Sequence, residues 1–248
     1  MTVALVTGAA GGLGSAIARR LAAGGHRVAV NDHPRRDVSA LAAELDGVAA
    51  PADVSDPAAV EAMVADIERR TGRHIGILVA GAACMTVAPF IEHDPDDWWH
   101  ILDVNLGGTF ACAQAVMPGM VERGGGRMVL ISSEWGLIGW PDATAYSASK
   151  AGIIALTKSL GRELGPLGIA VNAVAPSAPD APQLDVAAKA AGVTAAKLRA
   201  RYAGRAPLGR IAAPEEIAES VAFLADARLP TLLGQILHVN GGTTRARA

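Results

Sequence analysis

Short apolar runs rich in β-branched residues alternate along the chain with longer, Ala-rich amphipathic stretches. The short runs lie at Val3 to Val6, Arg27 to Asn31, Val48 to Ala52, Ile75 to Ala80, Arg127 to Ser132, Ile169 to Val174 and Gln235 to Val239. Strand-length runs separated by helix-length ones predict βαβ crossovers, and therefore a parallel sheet. Right-handed crossovers with helices on both faces make the expected architecture a doubly wound α/β sheet of about seven strands. A chain of 248 residues suits one such domain, and nothing argues for dividing residues 1–248. Only the segment from Pro176 to about Pro207 breaks the rhythm, opening with Pro176, Pro179 and Pro182 before two short Ala-rich helical stretches. It follows a strand's carboxyl end, where such sheets bind ligands, and another helix and strand come after it. We read residues 176–207 as a substrate lid rather than a linker.

Composition narrows the partners. Hydrophobic residues make up 51% of the chain and the net charge is −2, so there is no basic footprint for a nucleic acid. The terminal Arg245 and Arg247 read as a solvated tail. The start, Met1-Thr2-Val3-Ala4-Leu5-Val6-Thr7, lacks the basic region and long apolar run of a signal peptide. No later apolar run reaches membrane-spanning length, so a soluble, cytoplasmic protein without a membrane partner is expected. Cys84 and Cys112 form no CxxC pair and read as reduced thiols. The six histidines show no ligand spacing, and no metal site is expected.

Candidate chemistry begins at the first strand-to-helix turn, Thr7-Gly8-Ala9-Ala10-Gly11-Gly12-Leu13-Gly14. Gly8, Gly12 and Gly14 let backbone approach a pyrophosphate, with Leu13 in the same turn, and the helix N-terminus adds free N–H groups and a positive dipole end. Any tight turn can use glycines, but this one is followed by an acid at the end of the second strand. Asp32 lies 18 residues past Gly14. A carboxylate there accepts both adenosine ribose hydroxyls and repels a 2′-phosphate, the plainer alternative being a turn-forming Asp ahead of Pro34. Arg35 and Arg36 keep NADP(H) open, yet His33 directly follows Asp32 and the glycine loop holds no basic residue. NAD(H) is therefore the expected cofactor. Tyr146 and Lys150 stand four residues apart in a helix-compatible stretch, stacked on one face. A phenol titrating near pH ~10 exchanges protons poorly at neutral pH unless a fixed cation stabilises its phenolate. Lys150 is placed to supply one, although an ordinary surface Tyr and Lys one turn apart share the spacing.

Together, the glycine motif, Asp32, Asn105, Ser133 and the Tyr146/Lys150 pair resemble the short-chain dehydrogenase/reductase family over nearly the whole chain. That family's catalytic serine precedes the Tyr-x-x-x-Lys tyrosine by thirteen residues, which selects Ser133 without a gap. Asp53-Val54 resembles its adenine-contacting pair, Asn105 its helix asparagine, and Asn172 to Pro176 and Gly234 to Gly242 follow its pattern. The resemblance implies a Rossmann-type fold and hydride exchange between NAD(H) and a secondary alcohol or ketone. It makes Tyr146 the proton donor in reduction and the acceptor in oxidation. Lys150 would lower the phenol's pKa and hold the nicotinamide ribose, Ser133 would hydrogen-bond the substrate oxygen, and Asn105 would hold a water linking Lys150 to solvent. The plainer alternatives are a strand-end hydroxyl capping a turn for Ser133 and a buried amide bridging helix backbone for Asn105. The resemblance also implies a homotetramer, paired through the long helices carrying Asn105 and Tyr146 and through the last strands.

Three positions depart from the pattern. The family's Asn-Asn-Ala-Gly after the fourth strand is Ala80-Gly81-Ala82-Ala83 here, which leaves only backbone at Ala80 and Gly81 for the cofactor. Its Pro-Gly is Pro176-Ser177, and Ala181 replaces the threonine expected at the carboxamide. For the substrate, Trp135 and Trp140 follow Ser133, and Leu184 and Val186 add apolar surface in the lid. They predict a small, mainly apolar or aromatic ketone, the alternative being loop-to-lid packing. A 3-oxoacyl-acyl-carrier-protein or acyl-CoA reductase is the runner-up. Its relatives place basic residues where this chain has Gly124 and Leu167, though Arg123 partly substitutes, and Glu134 disfavours an acidic partner. A non-catalytic dinucleotide-sensing or scaffold protein is the alternative of another class, against which the intact tetrad argues.

Overall fold

The computed structural model describes residues 1–180 and 182–244, less the side chains of Pro182, Gln183, Val186 and Ala190. Ala181, Arg245 and Arg247 lie outside the described residues, as does the Val186 side chain. Seven parallel strands form one sheet: β1 (Val3–Thr7), β2 (Arg27–Asn31), β3 (Val48–Ala49), β4 (Ile75–Ala80), β5 (Gly126–Ile131), β6 (Ile169–Pro176) and β7 (Ile236–Val239). Their order is β3-β2-β1-β4-β5-β6-β7. The strands divide their side chains between two cores with the period of two that a pleated chain imposes. Val3 and Leu5 face one, with Val60, Val116 and Ile153 from α3 (Pro57–Thr71), α5 (Gly108–Glu122) and α7 (Thr144–Leu164). Ala4 and Val6 face the other, with Ile17, Ala42 and Val221 from α1 (Gly12–Ala23), α2 (Ser39–Glu44) and α10 (Pro214–Ala225). Burial on both faces is why these strands read as continuous apolar runs.

The edges differ from expectation for local reasons. β3 stops at Ala49 instead of Ala52, although the amides of Ala50 and Ala52 still donate to Val30 and Asp32 at 3.0 and 3.1 Å. Pro51 between them has no N–H to continue the ladder. β6 runs two residues past Val174, pairing Ala175 and Pro176 with His238 and Val239. Beyond it α8 (Pro182–Ala190) and α9 (Ala195–Ala203) form the two short helices expected of the 176–207 segment. The strand order reverses at β1 and β4, and the crevice outside their carboxyl ends is where a sheet of this kind takes its ligand. Among the described residues no helix is long and apolar enough to cross a membrane.

Candidate active site

The glycine loop is shaped by contacts that no side chain would tolerate. Gly8 has φ +72°, and a Cβ there would meet the Gly81 carbonyl at 2.8 Å. A Cβ on Gly14 would stand 2.1 Å from the Gly8 carbonyl oxygen, so α1 packs on the turn that feeds it only because the position is glycine. Gly12 opens α1 with no side-chain cap upstream, and Leu13 packs against the sheet. This cradle fits a pyrophosphate, since it presents uncapped helix N–H groups with no side chain in the way. Asp32 is nearly buried just past β2, its carboxylate accepting the Ala10 amide at 2.9 Å and the His33 amide at 2.8 Å. Two acceptor sites remain on that carboxylate, enough for a pair of ribose hydroxyls. Asp53 accepts the Ser55 amide and hydroxyl at 2.9 and 2.7 Å, bonds that hold its carboxyl below its usual range. His33 Nε2 stands 3.6 Å from the other Asp53 oxygen, while Val54 is buried against Gly108.

The departure at Ala80–Ala83 has a structural replacement. Thr7 Oγ1 accepts the Gly81 and Ala82 amides at 3.0 and 3.1 Å, so a hydroxyl at the end of β1 ties down the loop after β4. Pro176 closes β6, and its carbonyl accepts the Glu134 amide at 3.0 Å.

Tyr146 and Lys150 lie on α7, and Ser133 lies just past β5 on the loop entering the short helix α6 (Trp135–Ile138). The Lys150 ammonium sits 5.5 Å from the centre of the Tyr146 ring and donates to the Ile131 carbonyl at 2.8 Å. Burial lowers it to about 8. Burial likewise pushes the Tyr146 phenol up to about 12, opposed by the nearby Ser133 hydroxyl. Desolvation of the phenolate is the largest effect on this group and sets the net direction. Ser133 Oγ also accepts the Trp135 amide at 3.2 Å, so its turn-capping alternative is realised alongside its contact with the phenol.

Asn105 occupies a π-helical turn, Asp103–Gly107, between α4 (Pro95–Leu102) and α5. Its Oδ1 accepts the Cys84 amide at 2.8 Å, and its Nδ2 donates to the Cys84 carbonyl and to Ser149 Oγ, each at 3.0 Å. Both amide donors are thus spent on protein, and the side chain clamps the loop after β4 to α7. Its backbone carbonyl also accepts the Thr109 hydroxyl at 2.6 Å.

Of the three residues expected to line the substrate pocket, Trp135 and Trp140 stack face to face, with centroids 4.6 Å apart and planes 3° from parallel. Trp135 meets Tyr146 edge-on at 5.7 Å, and the Arg205 guanidinium lies 4.2 Å from the Trp140 ring centre. The third, Leu184, is buried with Ala188 and Leu198 in a small cluster between α8 and α9, against which Tyr202 and Ile211 also pack. Sequence reasoning also missed Thr7, Ser149 and Tyr202. The chain has two tyrosines, and the phenol of the second, Tyr202, lies within electrostatic reach of Tyr146. That count was the one available signal.

An all-parallel doubly wound sheet with a glycine cradle at its switch point defines a dinucleotide-binding α/β protein. The family model described as Enoyl-(Acyl carrier protein) reductase matches residues 8–244. The chain is 37% identical to the 2-dehydro-3-deoxy-L-rhamnonate dehydrogenase (NAD(+)) of Sphingomonas sp. (strain SKA58), over 97% of this chain and 94% of that protein. It is 34% identical to the 3-oxoacyl-acyl-carrier-protein reductase FabG of Thermotoga maritima, over 97% and 96%. A short-chain dehydrogenase/reductase of Armillaria gallica is 39% identical, over 97% and 95%. The chain belongs to the short-chain dehydrogenase/reductase family, and is a nicotinamide-dinucleotide oxidoreductase of CH–OH and keto groups.

Proposed function

We propose that the protein is an NAD(H)-preferring dehydrogenase/reductase that interconverts a small, mainly apolar or aromatic ketone and its secondary alcohol. The observation that carries this reading is the buried Lys150 ammonium 5.5 Å from the centre of the Tyr146 ring, with the Ser133 hydroxyl near enough to act on the phenol. A bound dinucleotide supplies the hydride. Gly8, Gly12, Leu13 and Gly14 hold its pyrophosphate end, Asp32 the adenosine ribose, Asp53 and Val54 the adenine, and Ala80, Gly81 and Pro176 line the path to the nicotinamide. Ser133 receives the substrate oxygen and aligns it with Tyr146. Tyr146 donates its proton to that oxygen in reduction and takes it back in oxidation, and a phenol near 12 is fully protonated at neutral pH, ready for the first direction. Lys150 holds the nicotinamide ribose and carries positive charge beneath the ring. Asn105 holds the loop after β4 against α7 and holds a relay water that links Lys150 to solvent. The 176–207 segment closes over the substrate, and four copies of the chain assemble.

FabG relatives favour a second reading, a 3-oxoacyl reductase acting on a carrier-linked or CoA-linked chain. Against it, the apolar Leu167 is half exposed where those relatives carry a basic residue, and Arg123, the cation next to Gly124 in the chain, donates to the Gly125 carbonyl at 2.8 Å. The test is an absorbance assay of NADH oxidation with aryl and alkyl ketones beside a carrier-linked 3-ketoacyl substrate at matched salt. We expect the free ketones to win in kcat/KM, and a clear win for the carrier-linked substrate reverses the choice. Tyr146→Phe should cut kcat at least about a hundredfold while leaving NADH affinity nearly unchanged. Retention of more than that activity removes Tyr146 from the proton-donor role.

A further inference from the structure

The lid carries a cation that the reaction as derived does not use. Arg205 follows α9 directly, and its guanidinium lies over one face of Trp140, whose other face is covered by Trp135. Trp135 in turn meets Tyr146, so a continuous aromatic wall leads from the reacting phenol to the guanidinium. Tyr202, one turn before Arg205, tilts against the same Trp140 at 6.3 Å. Arg199 is paired with Asp180 and Asp185 at 2.7 and 3.0 Å, and Arg210 with Glu216 at 2.6 Å, whereas Arg201, like Arg205, has no ion pair among the described residues. Arg205 has no carboxylate within ion-pair distance among the described residues. The acid whose field it feels, Glu134, is 4% exposed and accepts the Thr243 hydroxyl instead.

We propose that Arg205 is a specificity-determining residue that receives a carboxylate on the substrate, at the end of the Trp135–Trp140 wall remote from Tyr146. Stacking on an indole fixes a guanidinium plane while leaving its edge N–H donors free, and that edge matches a carboxylate in two parallel hydrogen bonds. Arg201 and Arg205 both act on the Tyr202 phenol and Glu134 opposes them, so two guanidinium groups face one buried carboxylate at this edge. The preferred ketone therefore has an apolar or aromatic body that follows the wall and a carboxylate at its far end. This rests on Tyr146 being the proton donor, and it narrows the substrate class proposed above.

The experiment compares benzoylbutyrate, an aryl ketone with a terminal carboxylate, with its methyl ester, which has the same ring and carbonyl and no charge. Each is assayed with NADH on wild type, Arg205→Met and Arg205→Lys. The ratio of kcat/KM for acid over ester should fall at least tenfold in Arg205→Met, mainly through KM, and recover in part in Arg205→Lys. A ratio unchanged in Arg205→Met overturns the assignment. Acetoacetyl-CoA, whose negative charges are on phosphates, is assayed alongside, and a loss confined to it also overturns the assignment. Binding of benzoylbutyrate is also read by quenching of tryptophan fluorescence, which needs no turnover. The affinity should weaken at least tenfold in Arg205→Met, and equal affinity in both proteins overturns the site even if the reaction assigned to Tyr146 is wrong. Conversely, Tyr146→Phe should lose turnover of both ketones while keeping the quenching, which separates failure of the proton donor from failure of the carboxylate site.

Discussion

Only 2% of the Lys150 surface is exposed, and its ammonium donates to one carbonyl, that of Ile131. Desolvation drops its pKa from 10.5 to about 8. An unfolded chain then binds more protons than the native one between about pH 8 and pH 10.5, so this group makes stability rise with pH across that window. Below it the buried charge costs roughly 1–3 kcal/mol, discounted from the full shift for local relaxation. Lys150→Met should therefore be more stable than wild type to urea at pH 7, with the gap closing towards pH 10, while its activity is lost. A gap that stays constant with pH shows that the ammonium is not the cause. Asp32 makes the matching argument for charge at the cofactor end. Its carboxylate is positioned by two backbone amides rather than paired with an arginine, so its negative charge is uncompensated. Asp32→Ser should raise the NADPH/NADH ratio of kcat/KM at least tenfold, and a wild type that already prefers NADPH defeats the argument.

At the scale of elements, the α1 N-terminus depends on a close approach rather than on a cap. Gly11 is the N-cap residue and provides no side-chain hydrogen bond, and Gly14 brings the helix within a methyl's width of the Gly8 carbonyl. Gly14→Ala must push α1 away from the turn, so dinucleotide affinity should fall at least tenfold, with a loss of about 1–3 kcal/mol in stability. Calorimetric titration with NADH alongside thermal melting checks both, and unchanged affinity sinks the role assigned to the turn. What was legible in the sequence follows the same division between local and distant contacts. The glycine turn, Asp32 and the Tyr146/Lys150 stack are set by spacing within one or two elements, and each lies where its spacing predicted. Ser133 and Asn105 were legible by register with those motifs. The service of Thr7 to the loop after β4, the clamp from Asn105 to Ser149, and the approach of Tyr202 and Arg205 to Trp140 all join residues distant in sequence. No periodicity records such contacts. The burial of Leu184 with Ala188 and Leu198 was not legible for the same reason, since an apolar residue on α8 can pack on α9 or face the crevice, and only packing decides.

At the scale of the whole molecule, one outer face carries more apolar surface than a solitary chain would be expected to leave in water. Trp99 on α4 is 60% exposed and Phe110 on α5 is 50% exposed. Between them and α7 runs a groove lined by Leu102, Leu106, Gly152 and Leu156. Gly152 matters to its shape, because a Cβ there would meet Leu106 Cδ2 at 2.7 Å and the two helices could not lie as close. Contiguous apolar patches of this kind mark interaction surfaces, and the helices that form this one also carry Asn105, Tyr146 and Lys150 on their inner sides. A second copy of the chain seated here would stiffen α5 and α7 from outside, holding the Asn105–Ser149 clamp and hence the phenol in place. Trp99→Glu combined with Phe110→Glu sets charges against each other and against apolar surface in such an interface. Light scattering after size exclusion should show the wild type as an oligomer, and the double variant as a smaller species whose kcat falls although it touches no reacting group. A wild type that runs as a monomer at tens of micromolar, or a double variant that keeps the wild-type mass, overturns the assembly through this face.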